Sequence, residues 1–235
     1  MLAIIIALES EIFNAQKVKD ENKLVLSNDQ KFYLNENKEI VIAFSGVGKV
    51  NAANCISNLL KTFPMISNVI NIGLVGCSNE NYKLGSTIVV DEFYYLDVDA
   101  TIFGYKYGQV PREDEKYLSS KEKQLIIKNI LLENNIDVHF ANIGTSDSFI
   151  NKHNINNFPK EIVDNISLFD MESTAIAHVC SKNRLQLSSI KIVSDNIFLN
   201  TSSSTSFNDS LITYAKLIEK IVIIITNNIN SLKNN

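Results

Sequence analysis

Arginine is almost missing from this chain. Arg112 and Arg184 are the two that its 235 residues contain. Because the planar guanidinium is the usual two-pronged clamp for phosphate, a phosphate grip built on arginine has little to draw on. Cysteine is scarce as well. Cys55, Cys77 and Cys180 are odd in number and widely spaced, with no Cys-x-x-Cys and no Cys/His metal spacing. That excludes a disulfide framework and a structural zinc, and implies reduced thiols in a cytosol. There is no basic excess: the net charge is −4 and the pI about 5.5. The lysines are scattered among Glu and Asn, as on a solvated surface, which argues against a nucleic-acid or anionic-membrane partner. Long apolar runs are also absent. The apolar start is cut short by Glu9 and Glu11, so no signal peptide is expected, and Ile221–Ile225 is too short to span a bilayer. A cytoplasmic protein is the expectation.

What remains is enough for a full core. An apolar fraction of 45% and this length predict one α/β domain over residues 1–235. Residues 2–8 read as a buried strand. Lys23–Leu26, Lys31–Leu34 and Glu39–Phe44 read as a meander of strands between Asn/Asp turns. Helical spacing follows from Lys49 to Phe63, stopped before Pro64. Further strands are expected at Asn68–Ile72, Gly85–Val90, Glu92–Leu96, Val138–Ile143 and Ser188–Val193. Helices are expected at Lys121–Asn134, Met171–Asn183 and about Asn208–Asn227, with Ser202–Ser204 as a loop or helix lead-in. Strands alternate with helices without repeats or linkers. The predicted architecture is a central mixed, largely parallel twisted sheet with helices on both faces.

In such a sheet small molecules bind at the C-terminal strand edge, and several apolar runs here end in a carboxylate. Ile4 to Leu8 leads into Glu9-Ser10-Glu11, Leu168-Phe169 into Asp170-Met171-Glu172, and Ile190 to Val193 into Ser194-Asp195. Paired carboxyl groups at a ligand-binding edge suit general acid–base chemistry. Each also has a plainer reading: Glu9 and Glu11 as charges at a helix start, Asp170 as an N-cap, Asp195 as a cap of the next segment. Ser45-Gly46-Val47-Gly48-Lys49 fails as a Walker A loop, since Ala43 holds its first glycine position and Val50 follows the lysine. It reads instead as a tight turn that lets backbone approach a ligand. His178 lies among Ala175, Ile176, Ala177 and Val179, and is read as a partnered core or interface histidine. Phe103, Tyr105, Tyr107 and Phe149 are of the type that stacks on a base, or else core.

Together these segments resemble the 5′-methylthioadenosine/S-adenosylhomocysteine nucleosidases, within the purine nucleoside phosphorylase-like superfamily. The likeness is carried by Ala7–Glu11, Ser45–Val50, the aromatic loop Asp99–Pro111, Ser146–Ile150, Met171–Cys180 and Ser194-Asp195. The resemblance implies the three-layer nucleoside phosphorylase-like fold. It also implies hydrolysis of methylthioadenosine and S-adenosylhomocysteine, with 5′-deoxyadenosine as a further candidate, and no metal or organic cofactor. By the same resemblance Glu11 activates water, and Asp195, assisted by Ser194, protonates purine N7. Glu172 holds the ribose hydroxyls over Met171, Phe149 stacks on adenine, and the Ile150 backbone reads its edge. Val47, Gly76, Phe103 and Tyr105 line the pocket. Pro111 comes from a neighbouring subunit, which implies a homodimer with a shared active-site edge.

Two positions depart from the family pattern. Leu74 stands where relatives commonly carry a small hydroxyl residue, and Lys191 where they usually carry Arg. They keep a catalytically impaired nucleoside-binding homologue in view as an alternative. A purine nucleoside phosphorylase is the third reading, and the position of Arg112 and Arg184 outside any plausible phosphate site weighs against it.

Overall fold

The computed structural model describes residues 1–198 and 204–233. Of the serine cluster, Ser202 and Ser203 lie outside the described residues. The strands are β1 (Leu2–Ile6), β2 (Lys23–Ser27), β3 (Gln30–Leu34), β4 (Ile40–Phe44), β5 (Asn68–Cys77), β6 (Thr87–Tyr95), β7 (Tyr117–Leu118), β8 (Val138–Thr145), β9 (Leu168–Asp170) and β10 (Gln186–Asn196). The helices are α1 (Ala15–Glu21), α2 (Lys49–Thr62), α3 (Lys121–Glu133), α4 (Lys160–Val163), α5 (Ser173–Lys182), α6 (Ser204–Asn227) and α7 (Ile229–Lys233).

All ten strands belong to one sheet. Parallel ladders join β4, β1, β5 and β10, and likewise β6, β8 and β9. The β2–β3–β4 meander is antiparallel. One feature has no signal in the sequence. Strand β10 bonds to β5 on one side and β6 on the other, while β6, β8, β9 and β5 connect the other way round. Part of the sheet thus closes on itself like a small barrel.

Alternation along the strands builds the layers. Leu2, Ile4 and Ile6 of β1 face one apolar cluster with Ile127 and Leu131 of α3, Ile218, Ile221 and Ile225 of α6, and Leu232 of α7. Ala3 and Ile5 face the opposite cluster with Ala52, Ile56 and Leu59 of α2 and Ala175, Ile176 and Cys180 of α5. Each fully buried isoleucine contributes about 2 kcal/mol. Helix α2 starts at Gly48, whose φ of 97° suits glycine. It stops at Phe63, just before Pro64.

Several elements run past their predicted ends. β5 continues past Ile72, its expected end, through Gly73-Leu74-Val75-Gly76 to Cys77. β6 lies within the long strand region expected over 85–96 and is one strand, with a register irregularity between Val90 and Phe93. β10 extends to Asn196. α1, an exposed helix, was not foreseen; its start is marked by Asn14, whose side chain accepts from the Lys17 amide. The three cysteines are buried and unpaired. His178 is a partnered core histidine: its Nδ1 lies 3.2 Å from the Tyr95 hydroxyl, and its ring stacks on Tyr117. Among the described residues, no helix is long and apolar enough to cross a membrane.

Candidate active site

The C-terminal ends of β1, β5, β9 and β10, the turn after β4 and the loop after β8 surround a cavity of about 520 Å³. Strand β1 stops at Ile6, and Glu9–Glu11 form a single 3₁₀ turn. That turn sends its two acids apart. Glu9 goes outward to Lys19, 2.5 Å away, whereas Glu11 goes inward and is 4% exposed. Glu11 Oε1 accepts from the Leu74 amide at 2.8 Å and Oε2 from the Leu8 amide at 2.9 Å. Burial pushes its carboxyl group up; the backbone donors and the Lys191 charge oppose that, and the net shift is upward. The carboxylate is received by Gly73, where a Cβ would stand 2.9 Å from Oε1. This close backbone approach is a reason for glycine inside a buried strand.

Asp195 owes its aim to an irregularity in β10. Val193 pairs with Val75 and Asp195 with Gly76, so Ser194 is an extra residue in the ladder. Such a bulge re-aims the next side chain. Ser194 Oγ donates to Asp195 Oδ1 at 2.6 Å, while Oδ2 is buried and has no hydrogen-bond partner among the described residues. A Cβ on Gly76 would lie 3.4 Å from that Oδ2. Burial pushes the Asp195 carboxyl up and the Ser194 hydroxyl pulls it down, with the net shift upward.

The third acid, Glu172, sits at the entrance to α5. Its Oε1 accepts from the Gly48 amide at 2.8 Å. Burial and the nearby Asp170 push its pKa up to about 7, against the Gly48 hydrogen bond and Lys191. Asp170 faces away from the cavity's centre toward a buried polar cluster. It pairs with Lys191 at 3.0 Å, with both side chains 3% exposed. It also accepts from the Thr145 hydroxyl at 2.7 Å and from the Ser173 amide and hydroxyl. The N-cap of α5 is Glu172 rather than Asp170; Asp170 reaches the first helical amide, Ser173, from two residues before the cap and adds a buried ion pair. Lys191 lies opposite Gly73 in the ladder. From there it places one positive charge beside Asp170 and near Glu172 and Glu11, so that each of these anions costs less.

The structure gathers Glu11, Glu172 and Asp195 around one space. Val47, Gly76, Phe149, Ile150, Met171 and Ser194 line it with them. Phe103, Tyr105 and Pro111 do not line this cavity within one chain. Phe103 is 78% exposed, Tyr105 lines a separate depression beside Tyr94 and Glu161, and Pro111 is exposed. Leu74, the family departure, lines the cavity with its side chain but serves Glu11 through its backbone. Sequence reasoning missed Gly73, Ala7, Leu8 and Phe169. For Gly73 the available signal was a glycine inside an apolar run. Neither Arg112 nor Arg184 lines the cavity, and both are exposed. Among the described residues, no three His, Cys, Asp or Glu side chains converge as a metal ion requires.

Chemically, the arrangement holds a carboxyl group with a bare buried oxygen, a carboxylate pinned by backbone donors, and a third acid between them and the turn after β4. It suits a reaction that needs one proton donor and one base around a cation-like centre.

The family model of the phosphorylase superfamily matches residues 2–227. A 5′-methylthioadenosine/S-adenosylhomocysteine nucleosidase of Staphylococcus haemolyticus (strain JCSC1435) is 31% identical over 226 residues, which cover 94% of this chain and 97% of that one. Among solved structures, the nucleosidase of the same name from Neisseria meningitidis, in complex with methylthio-immucillin-A, is similar with a TM-score of 0.85. It is 28% identical, covering 96% of this chain and 97% of that one. The S. pneumoniae nucleosidase with a transition-state inhibitor gives a TM-score of 0.83 at 25% identity, over 95% of this chain and 96% of that chain.

Proposed function

The chain belongs to the phosphorylase superfamily and, within it, to the 5′-methylthioadenosine/S-adenosylhomocysteine nucleosidases, and from that premise we propose that it hydrolyses the N-glycosidic bond of these two nucleosides to adenine and a 5-substituted ribose. The observation that carries the reading is the convergence of Glu11, Glu172 and Asp195 on one cavity that neither arginine reaches. The bond breaks through an oxocarbenium-like state, so the leaving base needs a proton and the sugar needs a nucleophile from its other face.

We assign the proton to Asp195. Its carboxyl group has one hydroxyl partner on Oδ1 and none on Oδ2, so the neutral form is the one its surroundings favour. Glu11 is assigned to the water. Its two oxygens are held by the Leu74 and Leu8 amides, which favour the anion a base must be. The two groups share a burial but not a set of donors, and that difference separates acid from base. Glu172 is assigned to the ribose hydroxyls, with Met171 beneath the sugar. Phe149 and Ile150 are assigned to the adenine.

The test is adenine release from methylthioadenosine by purified protein, with and without inorganic phosphate. The expected result is turnover at the same rate in both. Turnover that requires phosphate would identify a phosphorylase. Nucleoside binding without any release would identify a binding homologue.

The assembly is also part of this reading. Val47, Val50, Ile102 and Phe103 form an exposed apolar set, 41%, 79%, 87% and 78% exposed respectively, on the α2 turn and the loop that continues to Pro111. A second copy would cover such a set and bring Pro111 to the 5′-alkylthio end of its neighbour's cavity. Dilution to monomer, followed by light scattering beside the assay, is expected to abolish activity. A fully active monomer would end the idea of a shared site. We also place the enzyme in the cytoplasm, in keeping with three unpaired buried cysteines; recovery from a secreted fraction would overturn this.

A further inference from the structure

We propose that Asp97, which lies outside the cavity, is a positioning residue that holds the adenine loop in place and ties it to the ribose-binding turn. The inference rests on the nucleosidase reading above. Asp97 follows the end of β6. Its Oδ2 accepts from the Asp147 amide at 3.0 Å and from the Ser146 hydroxyl at 3.2 Å. Ser146 Oγ in turn accepts from the Ser148 amide at 3.0 Å. Three consecutive residues are thereby fixed, and the next two, Phe149 and Ile150, are the wall assigned to adenine.

The other oxygen reaches across to α2. Asp97 Oδ1 lies 2.6 Å from Lys49 Nζ, with the two side chains 26% and 20% exposed. The Lys49 amide donates to Asp147 Oδ1 at 2.9 Å, and Lys49 Nζ lies 3.4 Å from Asp147 Oδ2. The amide of the preceding residue, Gly48, donates to Glu172 Oε1 at 2.8 Å. One lysine–aspartate pair therefore joins the loop assigned to the base to the turn that holds the Glu172 carboxylate, assigned to the ribose. The amides of Gly48, the N-cap of α2, and of Lys49, its first residue, are consumed in the same knot.

An ordinary surface ion pair is worth little. This one is half-sheltered, adds charge-assisted bonds from backbone and hydroxyl donors, and has the Tyr95 ring beneath the ammonium at 5.6 Å. Burial raises the Asp97 carboxyl, but Lys49 and the Asp147 amide outweigh it and hold it below the usual carboxylate value. Asp97 is therefore ionised across the working range, and its grip does not come and go with pH near neutrality.

The experiment is Asp97→Asn, which keeps the size and removes the charge that both sides of the knot share. Steady-state constants for methylthioadenosine, calorimetric affinity for free adenine, and the melting midpoint are measured together. Losing charge-assisted bonds that order the base loop is expected to raise both KM and the adenine Kd about tenfold, or 1.4 kcal/mol. kcat should stay within about threefold, because the reacting carboxyl groups are untouched. Lys49→Met opens the same link from the other side and should move KM and Kd in the same direction. It also decides the matter alone if Asp97→Asn does not fold. Wild-type KM and adenine affinity in these variants, or a loss confined to kcat, would overturn the proposal. If the wild-type protein releases no adenine, the nucleosidase reading fails, and the adenine affinities still decide the role of Asp97.

Discussion

Replacing Asp195 with Asn is expected to lower kcat for methylthioadenosine by ~10³-fold, within the range typical for loss of a general acid, with KM changed little. The amide keeps the side chain's shape and its contact with Ser194, 2.6 Å away in the native protein, but it has no acidic proton to give to the leaving purine. The pH profile should change with it. In the proposed mechanism Asp195 works protonated, and burial raises its carboxyl group. Native activity therefore falls on the alkaline side as pH rises through that raised value, and Asp195→Asn should lose this limb. The same proposal has Glu11 working ionised, so the acid-side fall should remain in the variant. Measured kcat profiles of both proteins across pH 5–9 would check each limb. A variant that hydrolyses at near the native rate would remove Asp195 from the chemistry.

The same geometry sets a direction for stability. The folded-state value of Glu172, about 7, lies above its ordinary 4.5. Between these two pH values the folded protein binds more protons than the unfolded one. The contribution of Glu172 to stability is therefore fully present below pH 4.5 and is lost as pH rises through 7.

Much of this site was legible because a strand that ends in a carboxylate at the C-terminal edge is a readable pattern. Glu11, Asp170 with Glu172, and Asp195 all carry it. Asp97 carries it too, after β6, yet its work is done on Lys49 and on the 146–148 backbone, partners that only the closed sheet brings near. The bulge at Ser194 was not legible, because one extra residue in a ladder leaves the apolar run unchanged. Gly73 was half legible: a glycine in a strand signals a close approach but not what approaches. Lys191 reads as a family oddity in sequence. In three dimensions its buried pairing with Asp170 explains why a charge stands in the middle of β10. Phe103, Tyr105 and Pro111 lie outside the cavity of the single chain, so neither one chain's sequence nor one chain's fold shows what closes the cavity.

Glu11→Gln is expected to have the larger effect of the two catalytic substitutions, ~10³- to 10⁴-fold in kcat, the upper part of the general-base range. A glutamine removes the base. It also damages the cradle that held it. Both Glu11 oxygens accept from backbone donors, Leu74 at 2.8 Å and Leu8 at 2.9 Å. The amide offers one acceptor oxygen, so its NH₂ must face one of those N–H groups and leave a buried donor unpaired. Gly73 leaves no slack for the side chain to swing away, since even a methyl group there would stand 2.9 Å from Oε1. The Leu74 side chain is bystander to this contact. The Leu74 donor is a backbone N–H that any residue except proline would supply, so the departure from the family pattern does not by itself disarm the base. Methylthioadenosine affinity by calorimetry should survive within about threefold, because the groups proposed for base and ribose, Phe149, Ile150 and Glu172, are untouched. Single-turnover adenine release should be close to absent. If the variant retains more than about a tenth of native turnover, water is activated elsewhere in the cavity. Glu172, the other buried carboxyl group with a raised pKa, would then be the group to replace next.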